Sequence, residues 1–273
     1  MKKYFFGLLI GLVLTIGLLI TWFVRLEPLS DELFLVVSSQ AESSEQPFLV
    51  YFAPEQKLQI FTLPATQKFS VLGNYGDYEL RSVYPLLQLK KQSNQFIRAS
   101  FSRGLNLLLD QQVALTELNN LSQTGQERLL LWQLIKSRQL GLVTRAQLIK
   151  TVGQLGDWQI KHQDLAAGEP VKRPQSWNKC SLAVINTTSV SGVANKLGEA
   201  LKAQQFRVVR VDDLAENQQK SSLFWSGQDS ECGILAKKLQ ILLPNSASMT
   251  TEAAVLNKYR AEIVIFLGED YVN

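Results

Sequence analysis

The sequence predicts an α/β protein with an N-terminal transmembrane helix, a first α/β domain and a small βαββαβ C-terminal domain. Three observations lead to this prediction. Residues 4–24 contain no charged side chain, residues 32–161 pass from strand candidates to amphipathic helices, and residues 179–273 alternate regularly between strands and helices. Layered α/β folds are typical of such orders. We therefore expect an anchor at 1–31, a domain at 32–161, a linker at 162–178 and a second domain at 179–273.

The apolar run at 4–24 is long enough to span a membrane. At about 1.5 Å rise per residue, a helix of this length crosses the roughly 30 Å hydrocarbon core. Lys2 and Lys3 precede the run. This basic flank predicts a cytoplasmic N-terminus, a single pass and extracytoplasmic residues 26–273. A cleaved signal peptide is the alternative, but its apolar core is usually about 7–15 residues, and residues 21–28 offer no small-x-small cleavage site.

The charge of the chain argues against a nucleic-acid partner. The net charge is +4, but residues 1–25 hold three basic residues and no acidic one, while the remainder is nearly balanced. The excess therefore comes mainly from the anchor and its flank. Without a basic stripe interleaved with aromatic residues, binding of nucleic acid is not expected.

The first domain begins with three short apolar segments that predict strands, at 32–38, 47–53 and 57–63. Polar breaks separate them, as expected between strands. A turn follows at 71–77, then a helix at 80–92 interrupted at Pro85. Alternating residues predict a strand at 95–102, and a leucine run predicts a helix at 103–112.

Two capping boxes predict the next pair of helices. Thr124 and Glu127 precede a helix at 129–137, and Thr144 and Gln147 precede one at 148–155. In each box the two side chains would satisfy free backbone N–H groups. Trp132 lies on the apolar face of the first of these helices, so we expect it in the core.

The second domain follows a linker that contains Pro170 and Pro174. Its predicted strands cover 181–185, 206–211, 222–225 and 262–267. Its predicted helices cover 193–205, 234–243 and, as one extra short element, 251–259. This βαββαβ pattern is compact enough to form its own core.

The turn between the first strand and helix of this domain is rich in hydroxyl groups. It contains Asn186, Thr187, Thr188, Ser189, Ser191 and Gly192. Hydroxyls and free N–H groups before a helix favour an anion or a sugar hydroxyl. The alternative is a capped βα turn without a ligand, with Thr187, Thr188 or Ser191 as the N-cap. The three-glycine dinucleotide fingerprint is missing, so a nucleotide cofactor is not expected.

The two cysteines, Cys180 and Cys232, both fall in the second domain. In an exported protein they can form a disulfide, and the alternative is that they are two buried small apolar residues. Together with the single His162 they lack the spacing of a metal site, so no metal is predicted.

Residues 179–273 resemble the C-terminal domain of many LytR/CpsA/Psr proteins. The resemblance rests on segments at 180–197, 204–211 and 261–271, which match a V-x-V-x-N-G-[ST] turn, a G-F-x-V strand and a closing V-x-L-G-x-D-Y. Thr187, Gln205 and Ile265 depart from that pattern. The resemblance implies an accessory domain of the bacterial cell envelope, without established chemistry.

Residues 32–161 resemble the catalytic LytR/CpsA/Psr domain less closely, mainly at 61–66 and 96–110. That family transfers wall polymers from a polyprenyl-pyrophosphate carrier to peptidoglycan. Its S-x-P-R-D strand end supplies an Arg and an Asp, but here Ala65 and Thr66 follow Pro64. Arg98, Arg103 and Arg128 could contact a pyrophosphate or an anionic lipid. Mg²⁺ is expected only if catalysis persists, because a carboxylate-held ion usually assists such transfers.

Two hypotheses of function follow. In the first, the chain is a non-catalytic, membrane-anchored binding or scaffold protein that contacts a cell-wall polymer or an envelope protein and needs no cofactor. In the second, it is a divergent phosphotransferase that attaches glycopolymers to peptidoglycan.

Overall fold

A computed structural model describes the chain at residues 15, 21–23, 25–27, 29, 31–40, 46–53, 56–72, 75–105, 107–116, 118, 121, 123–164, 178–227, 231–244 and 247–272. Most of the predicted anchor lies outside these residues. In the part of the chain that is described, no helix combines the length and apolar character that a membrane span requires.

Twelve strands and seven α-helices cover the described residues. The strands are β1 (Glu32–Ser38), β2 (Phe48–Ala53), β3 (Lys57–Thr62), β4 (Lys68–Val71), β5 (Gly76–Glu79), β6 (Gln111–Leu115), β7 (Gln159–Asp164), β8 (Ser181–Asn186), β9 (Arg207–Asp213), β10 (Ser222–Trp225), β11 (Ser248–Thr250) and β12 (Ile263–Leu267). The helices are α1 (Leu80–Leu89), α2 (Asn94–Gly104), α3 (Glu127–Lys136), α4 (Leu142–Gln154), α5 (Val193–Ala203), α6 (Glu231–Leu239) and α7 (Ala253–Tyr259).

The first sheet has the order β6-β1-β2-β3-β7 and forms, with α1 to α4, what we call the N-terminal unit. β2 runs antiparallel to both neighbours, whereas β6 and β7 pair in parallel with β1 and β3. Successive residues of β1 alternate between the two faces, as a strand requires. Phe34 lies in the core beneath α3 and α4, while Leu33 and Leu35 lie in the core beneath α1 and α2.

The second sheet has the order β11-β10-β12-β8-β9 and forms, with α5 to α7, the C-terminal unit. The central strands β8 and β12 are parallel and completely buried. Helices α5 and α6 cover one face, and α7 covers the other through Tyr259. The predicted α/β class is therefore confirmed, with two mixed sheets. The sequence pattern missed the three-residue strand β11 and the hairpin β4–β5.

The predictions for 95–112 were wrong. The structure has a helix first, α2, and then a strand, β6. Ser93 caps α2, because its Oγ accepts a hydrogen bond from Phe96 N at 3.2 Å, and Ile97 and Phe101 lie one turn apart on the buried side. The leucine run after α2 is not helical. Leu107 N and Leu109 N bond back to Ser102, and Leu108 N bonds to the distant Gln204 Oε1 at 2.9 Å.

The capping boxes were also wrong in their details. Helix α3 has Gln126 at its N-cap, and α4 begins after Gly141, so that Thr144 lies inside it. Trp132 is not in the core but is 45% exposed, because the buried side of α3 is formed by Leu130, Leu131 and Leu134.

The predicted linker starts too early. β7 continues to Asp164 and pairs in parallel with β3, with His162 opposite Ile60. Residues 162–164 therefore belong to the first sheet, and residues 165–177 lie outside the described residues.

Candidate functional site

The 186–192 turn connects β8 to α5, and its first half is closed by its own side chains. Asn186 and Thr188 are buried. Asn186 Oδ1 accepts hydrogen bonds from Thr188 N at 3.0 Å and Thr188 Oγ1 at 2.8 Å. Asn186 Nδ2 donates to Val190 O at 2.8 Å. These polar atoms are used to hold the turn in shape.

The turn is also fastened to the end of β12. Thr187 donates from its N and Oγ1 to Leu267 O at 2.9 and 2.8 Å. Ser189 donates from its N to Glu269 Oε1 at 2.5 Å and from its Oγ to Glu269 Oε2 at 3.1 Å. The Glu269 carboxylate therefore already accepts the hydrogen bonds that the predicted anion site would offer from Ser189.

The N-cap of α5 is Gly192, so none of Thr187, Thr188 and Ser191 has the capping role predicted for one of them. Gly192 has a φ of +80°, a conformation that favours glycine. Ser189 and Ser191 are exposed. The six residues of the predicted site thus lie together, but three of them are buried and bonded within the chain. Binding of a ligand here stays a prediction.

The closing motif at 268–271 has structural partners of its own. A Cβ on Gly268 would lie 2.4 Å from the carbonyl carbon of Lys220, so only glycine fits. Asp270 Oδ1 accepts hydrogen bonds from Ser221 N at 2.7 Å and from Ser221 Oγ at 2.6 Å. The parallel strands β8 and β12 therefore end at a shared edge that is held by hydrogen bonds.

The three arginines predicted to contact pyrophosphate or lipid are not brought together. Arg98 and Arg103 lie on α2, whereas Arg128 is exposed on α3, over the opposite face of the first sheet. Arg98 Nη1 donates to Asp110 O at 2.5 Å. Burial lowers the pKa of the Arg98 and Arg103 guanidinium groups, against the opposing effects of Asp110 and Tyr271 respectively.

Arg103 forms part of a junction between the two units that the sequence analysis missed. Its Nη2 donates to Tyr271 O at 2.6 Å, and its guanidinium lies 3.8 Å from the centroid of the Tyr271 ring. Burial raises the pKa of Tyr271, and the charge and hydrogen bond of Arg103 oppose that rise. Leu108 lies in the apolar core of the C-terminal unit.

A buried ion pair completes the junction. Asp110 Oδ1 lies 2.7 Å from Lys238 Nζ, with the Asp110 side chain only 5% exposed. Asp110 Oδ2 accepts from Leu33 N at 2.8 Å, and Lys238 Nζ also donates to Asp31 O at 3.2 Å. One feature of the sequence could have indicated this junction, namely that the acidic Asp110 directly follows the apolar run 107–109.

The strand end predicted to carry catalysis has little suitable chemistry. Residues Pro64, Ala65 and Thr66 follow β3 and supply no carboxylate for a divalent cation and no guanidinium. The donor set at this position therefore does not fit a Mg²⁺-assisted transfer. In the described part of the chain, no three His, Cys, Asp or Glu side chains are grouped so that they could hold a metal ion.

The disulfide candidates meet in the core of the C-terminal unit. Cys180 precedes β8 and Cys232 lies in α6, and their sulfurs are joined at 2.05 Å, with 5.5 Å between the Cα atoms. Both residues are buried.

Residues 179–271 match the model of a protein family described as the LytR cell envelope-related transcriptional attenuator. The C-terminal unit is thus similar to a cell-envelope family of the LytR type. Comparisons with curated proteins and with solved structures found no match.

Proposed function

We propose that this chain is a membrane-anchored, extracytoplasmic protein of the bacterial cell envelope that binds or scaffolds during wall assembly and does not catalyse polymer transfer. The similarity of residues 179–271 to the LytR cell-envelope family is the observation that carries the proposal. The uncharged run at 4–24 and its basic flank support an N-terminus in the cytoplasm. A disulfide in the C-terminal unit agrees with an oxidising location.

The non-catalytic part of the proposal rests on the N-terminal unit. We treat this unit as a divergent relative of the catalytic LytR/CpsA/Psr domain. Ala65 and Thr66 supply neither the charge nor the carboxylate that pyrophosphate chemistry uses. Arg98 and Arg103 donate instead to backbone oxygens of the protein itself. The partner in this role is a wall polymer or an envelope protein.

Reporter fusions test whether residues 26–273 lie outside the cytoplasm. A reporter that is active only outside the cytoplasm, fused after Asn273, should be active, and the same fusion without residues 4–24 should not be. A reporter that functions only in the cytoplasm serves as the matched control. Activity of the cytoplasmic reporter in the full chain would refute the proposed anchor orientation.

A second experiment separates binding from catalysis. The purified full chain in detergent should bind isolated cell-wall material. It should leave a polyprenyl-pyrophosphate-linked glycan intact with or without Mg²⁺. Metal-dependent cleavage of the pyrophosphate would overturn the non-catalytic role. Replacing Ser189 and Ser191 by Ala tests the exposed part of the turn. If this variant folds and binds cell-wall material as well as the parent chain does, the two hydroxyls are not part of the binding surface.

A further inference from the structure

Helices α3 and α4 expose apolar side chains on the side that faces away from the first sheet. Leu142 is 80% exposed, and Val143, Leu129, Trp132 and Ile149 are between 42% and 52% exposed. We call these five residues the α3/α4 outer face. The opposite sides of the same helices are buried in the core through Leu130, Leu131, Leu134 and Leu148.

The exposed apolar residues of each helix are grouped on one side of it. Leu142 and Ile149 are separated by two helical turns on one side of α4, with Ala146 between them. Leu129 and Trp132 are one turn apart on α3, which packs beside α4 on the same face of the sheet. Exposed apolar side chains grouped on one side of each of two neighbouring helices are typical of a surface that contacts a protein or a membrane.

The chain enters the N-terminal unit at α4, directly from the apolar run at 4–24. Lys150 of α4 donates its Nζ to Leu26 O, and Leu29 N donates to Thr151 Oγ1 of α4 at 3.3 Å. Leu29 is buried in the core beneath α3 and α4. The residues that follow the apolar run are therefore bound to the helix that carries Leu142 and Ile149.

The charge around the outer face suits an anionic lipid surface. Residues 123–158 contain five basic residues, Arg128, Lys136, Arg138, Arg145 and Lys150, against two acidic ones. Arg128, Lys136 and Arg138 are exposed, whereas the carboxylate of Glu127 is buried and bonded to His162. Basic residues near anionic headgroups strengthen the contact of an apolar helix face with a bilayer.

We propose that the α3/α4 outer face lies on the extracytoplasmic surface of the membrane, with Trp132, Leu142 and Ile149 in the interfacial layer. This inference rests on the proposed anchor and adds an orientation to it. The sheet and the junction with the C-terminal unit then face away from the bilayer, since α1 and α2 cover the opposite side of the first sheet.

The test uses the full chain in proteoliposomes of phosphatidylglycerol and phosphatidylcholine. Leu142→Cys is labelled with an environment-sensitive fluorophore, and quenching by brominated lipids is measured. Leu89→Cys is the matched control, because Leu89 is 79% exposed but lies on α1. Quenching at position 142 should exceed that at position 89 several-fold, and it should decrease when the phosphatidylglycerol is left out.

Native tryptophan provides a readout without new cysteines. Brominated lipid should quench the intrinsic fluorescence of the unmodified chain more than that of Trp132→Phe. Equal quenching at 142 and 89, in protein that resists carbonate extraction, would overturn the docking and leave the anchor intact. Release of the chain by carbonate would overturn both. A fluorophore shift that depends on the protein-to-lipid ratio, and not on bromination, would assign the face to a second copy of the chain.

Discussion

The two units of this protein contain five-stranded mixed sheets of the same size, but different interactions hold them together. The C-terminal unit has a disulfide in its core and a network of hydrogen bonds at the ends of β8 and β12. The N-terminal unit contains no cysteine. Its segment 107–110 instead contacts the C-terminal unit through Leu108 and Asp110. The C-terminal unit is therefore cross-linked by its own residues, whereas a segment of the N-terminal unit is held by the other unit.

The largest effect should come from removing the disulfide. Cys180 and Cys232 are 52 residues apart, and closing a loop of that length stabilises by about 4 kcal/mol on the chain-entropy estimate. Cys180→Ser with Cys232→Ser should lower the free energy of unfolding by that amount. Hydrogen exchange of the full chain in detergent should assign the loss mainly to residues 179–272.

Thiol titration of the unmodified chain provides the check on this prediction. Non-reduced, denatured protein should show no free thiol, and reduced protein should show two. Two free thiols without reductant would contradict the disulfide.

The second effect concerns the junction. Removing one partner of a buried ion pair leaves the other charge uncompensated, at a cost of about 3–5 kcal/mol. Lys238 is 18% exposed, so we expect Asp110→Ala to cost about 3 kcal/mol, at the low end of that range. Urea unfolding of the full chain measures it. Lys238→Met removes the other partner of the ion pair and should also destabilise the chain. Lys237→Met is its matched control, because Lys237 is the exposed neighbour on α6.

A separate outcome would reverse the comparison between the units. If hydrogen exchange shows that Asp110→Ala destabilises the C-terminal unit more than the N-terminal unit, then the junction mainly stabilises the C-terminal unit. An equal free energy of unfolding for Asp110→Ala and the parent chain would show that the ion pair does not stabilise the fold.

The junction also explains where sequence analysis failed, and the C-terminal unit shows where it succeeded. In 181–213 and 222–225, each strand or helix is followed by a break, and the predicted elements differ from the observed ones by only a few residues. The leucine run at 105–109 has a helix-like composition, but Leu108 is buried against the C-terminal unit and its amide bonds to Gln204. That partner is 96 residues away along the chain, so local periodicity contains no information about it.

The candidate site shows the same limit. The sequence grouped Asn186, Thr187 and Thr188 correctly as one turn, because their spacing between a strand and a helix is local. It did not predict that Glu269 would accept hydrogen bonds from Ser189, since this pairing arises only when β12 lies beside β8.

The third prediction separates the buried and exposed parts of that turn. Thr188→Ala removes a hydroxyl that bonds to Asn186 Oδ1 and Val190, and it should cost about 1–2 kcal/mol because buried polar groups lose partners. Ser191→Ala, at an exposed position, should change the free energy of unfolding by less than about 0.5 kcal/mol. Urea unfolding of both variants provides the measurement, and equal losses would contradict the division of the turn.

The smallest effect should be a dependence on acid that is confined to the N-terminal unit. Glu127 Oε1 lies 2.8 Å from His162 Nε2 and accepts from Gly125 N at 2.9 Å. Burial alone would raise the pKa of Glu127. The backbone amides of Gly125 and Glu127, together with the hydrogen bond and charge of His162, outweigh burial and lower that pKa below its usual value. The pair thus joins the start of α3 to the edge strand β7.

A carboxylate whose pKa is lower in the folded state stabilises the fold above its unfolded pKa, which is about 4.3 for Glu. That contribution is lost as the pH falls from this value through the folded pKa. The parent chain should therefore be more stable than Glu127→Gln at pH 6, and the difference should shrink between about pH 4.3 and the folded pKa. Glu231→Gln is the control, because Glu231 is exposed at the start of α6. If the difference in free energy of unfolding between the parent chain and Glu127→Gln does not change with pH, then Glu127 acts through hydrogen bonds that its charged and protonated forms make equally well.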